Sequence, residues 1–390
     1  MAAVSVEVVA DPGPAPEVDR LLLVPVLLLA AIGVVMVASA SLPIAEARGV
    51  GSFHFLVRHL GYLALGAALA AIAVRHSLSS LERFGSPALL AAFAMLPLVF
   101  VPGLGHEVNG AARWIRIGPL QMQVVEPVKL LLIVFLAAYL ARHQQALQTR
   151  FLAALLPLLV ASILAAMLLL QPDFGSAVLI AAIAGGMLWL GGARVRFLIA
   201  PALLALPVLA WAALSEGYRL RRLTSFLDPW SDPFRDGFQL TQALIAVGRG
   251  EWLGVGLGAS VQKLYYLPEA HNDFMVAVFA EEFGLLGLAV LIGLFSLLVG
   301  RSFVLAMRLH AAGRGFAAHL MFGIALWIGL QALVSIGVNL GVLPTKGLTL
   351  PLISSGGSSL VVTLIAVGLL LAGSREAAAA AAGMPTEAKR

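Results

Sequence analysis

Apolar residues in this chain come in long unbroken blocks and polar residues gather in the gaps, with neither the strict alternation of a half-buried strand nor the narrow stripe of a surface helix. A block of ~20 mostly apolar residues crosses a hydrocarbon core of ~30 Å, and only a helix or a closed barrel can do so with its backbone hydrogen bonds satisfied. Ten blocks are predicted as helices, at about 21–40, 55–74, 87–101, 124–141, 152–170, 175–191, 197–214, 273–299, 316–341 and 358–373. The third is short and the fourth carries charge. The fold class that follows is an all-α integral membrane protein of about ten transmembrane helices. Ala38-Ser39-Ala40 resembles a signal-peptidase site, yet the first block is long and follows Glu7, Asp11, Glu17 and Asp19, where a leader would be short and basic. It is expected to remain as an anchor.

An even number of spans places both termini on one side, and the basic residues choose which. Arg20, Arg75, Arg83, Arg142, Arg150, Arg194, Arg196, Arg301, Arg308, Arg314, Arg375, Lys389 and Arg390 fall on alternate short connections and tails, which marks that face as cytoplasmic. The other face carries the long loops. The largest, 215–272 between spans 7 and 8, holds six basic and six acidic residues. Loops of that length are uncommon unless they are functional. Within it, Phe238 to Val247 is predicted as a short helix on or in the membrane surface, followed by the Gly-rich run 248–258. The organisation expected is a cytoplasmic extension over 1–20, one polytopic domain over 21–373, and a cytoplasmic tail over 374–390.

Composition narrows the function classes. Of 390 residues, 61% are hydrophobic and 12% charged, whereas a soluble domain carries about 25% charged residues. This excludes a soluble enzyme and a nucleic-acid-binding chain, even with a net charge of +5. The absence of Cys excludes disulfides, thiolate metal sites and thiol nucleophiles.

An ionisable group in or at the edge of a span is a functional candidate because burying it in hydrocarbon is costly. Four clusters on the loop-rich face qualify. In the first, Arg113-Trp114-Ile115-Arg116 precedes Gln121, Gln123, Glu126 and Lys129. Glu126 and Lys129, three apart, share a helix face, either as a buried ion pair that locates the helix or as a pair bordering a head-group cavity. The second, Gln171-Pro172-Asp173-Phe174-Gly175, is a tight turn in which Asp173 serves as a helix N-cap or as a functional acid. The third, Leu267-Pro268-Glu269-Ala270-His271-Asn272-Asp273-Phe274, leads into Glu281 and Glu282, and its acid opens a span directly after the charged loop. The fourth, Pro344 to Ser359, is rich in Gly, Ser and Thr around Lys346. It forms either a backbone cradle for an anionic group or a re-entrant connection without ligand. Trp114 is read as an interfacial anchor or as a surface for a sugar or lipid.

Together the four motifs resemble the SEDS proteins (shape, elongation, division and sporulation), over roughly Leu21 to Gly373. The run Thr345-Lys346-Gly347-Leu348-Thr349-Leu350-Pro351 is more similar to the cell-division members than to the elongation members. Two positions depart from the family pattern: Ser355 stands where Tyr is usual, and Val124-Val125 where Pro-Ser is usual. Neither removes a charge, so altered packing is expected from them.

The resemblance implies a peptidoglycan glycosyltransferase that polymerises lipid II on the outer face of the bacterial inner membrane during septal division. It implies a class B penicillin-binding transpeptidase and other divisome proteins as partners. It also matches Asp273 to the family's catalytic acid. The chemistry expected is general-base attack of a sugar 4-hydroxyl on an anomeric carbon, with inversion and loss of undecaprenyl pyrophosphate. Arg113, Lys129 and Lys346 are the candidate cations for the leaving group, with Trp114 and Ser358 as further substrate contacts and Glu126, Asp173, His271 and Glu282 in support. A divalent cation, Mg or Mn, would help there, though its ligands are not legible; no organic cofactor is expected. The rival readings are a flippase of the same lipid and a non-enzymatic divisome scaffold.

Overall fold

The computed structural model describes residues 18–382 except 109, 119, 215, 216, 265 and 346. Twelve α-helices account for most of the described residues: α1 Arg20–Ala47, α2 His54–Arg75, α3 Gly85–Met95, α4 Val125–Thr149, α5 Phe151–Leu170, α6 Phe174–Leu190, α7 Val195–Leu214, α8 Gly217–Leu227, α9 Phe238–Gly250, α10 Met275–Ala311, α11 Gly315–Asn339 and α12 Gly357–Ala381. Short 3-10 turns flank α3, making Leu78–Phe100 one apolar passage.

Each of the ten expected blocks falls on a helix. By length and composition, seven helical segments among the described residues can cross a membrane: α1, α2, Leu78–Phe100, α5, α10, α11 and α12. The other three fall short for identifiable reasons. Helix α4 carries Glu126 and Lys129 in its first two turns, α6 has 17 residues, and the described apolar part of α7 is Val195–Leu204. The chain is a multi-pass membrane protein; the figure of ten goes beyond what these lengths establish. Helix α12 runs on to Ala381, past the expected boundary at 373, because Glu376 accepts from Leu78 N at 2.7 Å and from Ser77 Oγ at 3.1 Å.

The helical fold carries one small addition. Between Leu78–Phe100 and α4 lies a three-stranded antiparallel sheet, β1 Gly105–Val108, β2 Ala111–Ile117 and β3 Leu120–Gln123, paired in that order. The second strand is fixed by its pairing on both sides, and within it Ile115 is buried and Arg116 exposed. Pairing sets Trp114 opposite Gln123 and Arg116 opposite Gln121, so Trp114, Gln121 and Gln123 share a face.

Helices α11 and α12 form the centre, with 72% and 83% of their apolar windows buried, against 17% for α2 at the periphery. Helix α10 is broken at Gly284, which has φ +66. The freed backbone groups are met by the Gly-rich loop after α9: Val255 N and Gly256 N donate to the carbonyls of Glu281 and Glu282, while Leu285 N and Leu286 N donate to those of Glu251 and Trp252. Contact is so close that a Cβ on Gly254 would stand 2.1 Å from Glu282 O. The expected helix at 238–247 is α9, and α8 gives the loop a second one.

The end of α1 and the starts of α2, α6, α10 and α12 converge on one cavity. Their opposite ends meet in a set of ion pairs. Asp19 caps α1 by accepting from Leu22 N and binds Arg301 at 2.6 Å, which holds its carboxyl below the usual carboxylate range. Arg314 approaches Glu376 at 3.8 Å, and Arg142 approaches Glu82 at 3.4 Å. The charge asymmetry read from the sequence is thus an asymmetry between two ends of the molecule.

Candidate active site

The cavity has a volume of about 1070 Å³. Asp273 lies on its wall in the turn just before α10. Asn339 fixes that turn by donating from Nδ2 to Asp273 O at 2.9 Å and accepting from Ala277 N at 3.0 Å. Burial pushes the Asp273 carboxyl up to about 7, and the Glu269 carboxylate adds to the rise. Arg222 and Arg113 pull it down and Asp173 raises it again. A carboxyl that ionises near neutrality is suited to proton transfer, where an ordinary Asp would be a weak base.

Arg113, on β2, also lines the cavity, clamped onto the turn at 171–173. Its Nε donates to Gln171 O at 3.1 Å, a second nitrogen donates to Pro172 O, and Nη1 lies 3.8 Å from Asp173 Oδ1. Asp173 fulfils the capping role, accepting from Ser176 N at 3.2 Å, and faces the cavity as well. Trp114 shares the wall with Gln121 and Gln123.

The fourth cluster closes the cavity with the head of α12. Gly356 precedes this helix without a side-chain cap, and Gly356 to Ser359 all line the cavity, so the uncapped end of a helix dipole opens there. Ser358 Oγ accepts from Gln123 N at 3.1 Å, tying α12 to the sheet. Ser355, in the place of the usual Tyr, donates from N to His271 O at 3.2 Å and from Oγ to Asn272 Oδ1, holding the loop that carries Asp273. His271 lines the cavity, and burial pushes its imidazole down. Lys346 lies outside the described residues; Thr345 and Gly347 on either side line the cavity.

Three expected site residues stand elsewhere. Lys129 is not on the cavity wall: α4 turns it inward, 1% exposed, where Nζ meets Glu126 at 3.0 Å and Gln331 Oε1 at 2.7 Å and lies over the Trp327 ring. The buried-pair alternative therefore describes Lys129 and Glu126, and the assignment of Lys129 as a substrate contact is corrected. Lys129 is linked to the site through Gln331, which donates to Thr349 O at 2.9 Å. Glu282 is likewise away from the cavity, accepting from Ser39 Oγ at 2.7 Å and Lys263 Nζ at 2.6 Å. Val124 and Val125, in the place of Pro-Ser, are buried at the head of α4.

Sequence reasoning missed a whole wall. Arg48, Phe55, Arg58, His59 and Tyr62 line the cavity from α1 and α2, and Arg222 lines it from α8. The signal in the sequence is Arg58-His59 inside an otherwise apolar block, the feature that singled out Glu126 and Lys129.

Among the described residues no three His, Asp or Glu side chains are placed to hold a metal ion.

Residues 19–379 match the cell cycle protein family FtsW/RodA/SpoVE. The chain belongs to this family. A relative from Xanthomonas oryzae pv. oryzae, named a probable peptidoglycan glycosyltransferase FtsW, is 53% identical over 90% of this chain and 71% of its own. One of the same name from Thioalkalivibrio sulfidiphilus is 48% identical over 96% of each chain. Among solved structures, a chain of a peptidoglycan synthase complex, described as coordinating polymerization and crosslinking, superposes with a TM-score of 0.74. It is 32% identical and covers 92% of this chain and 98% of its own. The rod shape determining protein RodA of Thermus thermophilus gives 0.67 at 31% identity, covering 92% and 97%. Family membership thus carries the fold as well as the motifs.

Proposed function

We propose that this family member is a peptidoglycan glycosyltransferase that polymerises lipid II during septal division. The observation that carries the reading is Asp273, a carboxyl raised to about 7 on the wall of a cavity that also presents Arg113 and the open end of α12. The names of the FtsW relatives point the same way.

In this mechanism Asp273, whose carboxyl burial raises toward neutrality, takes the proton of the attacking sugar 4-hydroxyl. The oxygen attacks the anomeric carbon of the second substrate with inversion and expels its lipid pyrophosphate. Negative charge grows on that leaving group. The first N–H groups of α12 and the Arg113 guanidinium face the space where it develops, and neither has to reorganise during the step. Lys346 is assigned to the same charge from its place in the motif. No step is routed through a metal ion.

The basic ends of the helices give an orientation with both termini cytoplasmic and the cavity outside. The partner inferred is a class B penicillin-binding transpeptidase, by analogy with the complex that couples polymerization to crosslinking, together with other divisome proteins.

The test is glycan formation from labelled lipid II by the purified protein, with and without the transpeptidase, comparing the parent with Asp273→Asn. Polymer from the parent and none from a folded Asp273→Asn supports the reading. Equal polymer from both removes Asp273 from the chemistry. No polymer from the parent in any partner or metal condition moves the weight to a flippase or scaffold.

A further inference from the structure

Phe55, Arg58, His59 and Tyr62 are spaced at i, i+3, i+4 and i+7, so they form one face of α2, and all four line the cavity. The face bridges two parts of the site. At one end the Phe55 ring lies 5.8 Å from His271, two residues before Asp273. At the other, Tyr62 packs on Gly357 at the head of α12, where a Cβ would stand 2.4 Å from the ring.

His59 is the informative residue. It is 3% exposed, and among the described residues neither ring nitrogen has a hydrogen-bond partner. Buried polar groups are nearly always partnered, so two orphaned nitrogens on a cavity wall call for a partner that the protein does not supply. Beside them the Arg58 guanidinium lies over the Tyr62 ring at 5.7 Å, with a contact of 3.4 Å to Tyr62 Oη, and the Arg48 guanidinium lies over the Phe55 ring at 5.5 Å. Arg113, the cation assigned to the leaving group, is held in place by two carbonyls and Asp173.

We infer that this face of α2 is a second anion subsite: His59 hydrogen-bonds a phosphate or adjoining sugar oxygen of a lipid-linked substrate, while Arg58 and Arg48 carry its charge. The inference rests on the proposed function and deepens it. The reaction joins two lipid pyrophosphates, and the cavity presents cations in two places, with Asp273 joined to the α2 wall through His271 and Phe55. Aromatic rings lie beneath both guanidiniums, and Arg58 spends one nitrogen on Tyr62 Oη, which leaves its other N–H groups for oxygen ligands.

The experiment measures binding of fluorescent lipid II to the full-length protein in nanodiscs, in an Asp273→Asn background so that no turnover intervenes. His59→Leu is expected to weaken binding about tenfold, the loss of one hydrogen bond to a charged group. His59→Gln, which keeps a donor and an acceptor, recovers most of it. Arg58→Gln, at an exposed side chain, weakens binding by a similar factor and flattens its salt dependence. Phosphatidylglycerol at equal phosphate fails to compete. If His59→Leu does not fold, Arg58→Gln alone decides. Unchanged binding in the folded variants overturns the inference and leaves the functional reading standing, and full competition by phosphatidylglycerol also overturns it by making this a general lipid head-group site. No lipid II binding by the Asp273→Asn parent, together with no polymer from the unsubstituted protein, overturns both.

Discussion

Gly347 lies directly against the Asp273 carboxylate: a Cβ at Gly347 would stand 3.1 Å from Oδ2. The glycine of the fourth motif is therefore the floor on which the acid of the third rests. Gly347→Ala forces the carboxylate to shift by a few tenths of an ångström while touching no other packing. Its expected effect is a loss of roughly tenfold in polymerisation rate, since small misplacements of reacting groups are costly, with unchanged abundance and melting. A rate equal to the parent's would show that the carboxylate has room to move.

Lys129 and Glu126 behave as a unit. Removing one partner of a buried pair leaves the other charge uncompensated, which costs about 3–5 kcal/mol. Lys129→Met is expected to lower melting temperature and abundance sharply. Adding Glu126→Gln should recover most of the stability, because no charge is then left stranded. Melting of both variants in detergent checks this; a double variant as unstable as the single would mean that Lys129 has a charged partner other than Glu126.

Asp173 has two duties that substitution can separate. Asp173→Asn keeps an oxygen to accept from Ser176 N but loses the charge beside Arg113, whereas Asp173→Ala also loses the cap, worth about 1 kcal/mol. The expected order is equal turnover loss in both, with a fall in melting temperature in Asp173→Ala alone. Unimpaired turnover in Asp173→Asn would reduce the residue to its cap.

How much of this was legible follows from what each feature depends on. The helical blocks were, because a hydrophobic run long enough to span a bilayer is a one-dimensional property. So was the place of Asp273 at the mouth of a span, because an acid there stands out where charge is scarce. The small sheet was not legible: Arg113-Trp114-Ile115-Arg116-Ile117 does not alternate strictly between polar and apolar residues, and the sheet is defined by pairing between three short segments. The fate of Lys129 was not legible. Its spacing from Glu126 fits a buried pair and a cavity pair equally, and the decision is made by Gln331 and Trp327, some 200 residues away on α11. The α2 wall was hidden for another reason: Arg58 and His59 carry no motif, and only the meeting of α2 with α12 gives them a site.

The raised Asp273 ionisation predicts opposite pH responses of activity and stability. The folded group titrates at about 7 and the unfolded one near 3.8. As the proposed general base the residue works only when ionised, so the polymerisation rate should rise through pH 7 and level off above it. The stability effect runs the other way. Between these two values the folded state holds a proton that the unfolded state has released, so this group favours folding most below pH 3.8 and loses that contribution progressively as pH rises to 7. Asn at this position carries no charge to bury. Asp273→Asn should therefore be inactive yet melt higher than the parent at pH 8, with the gap narrowing toward pH 5. A pH–rate profile and melting curves at the two pH values check both halves. A rate already flat from pH 5 upward would place the ionisation near that of an ordinary carboxylate and remove the burial argument for Asp273 as a tuned base.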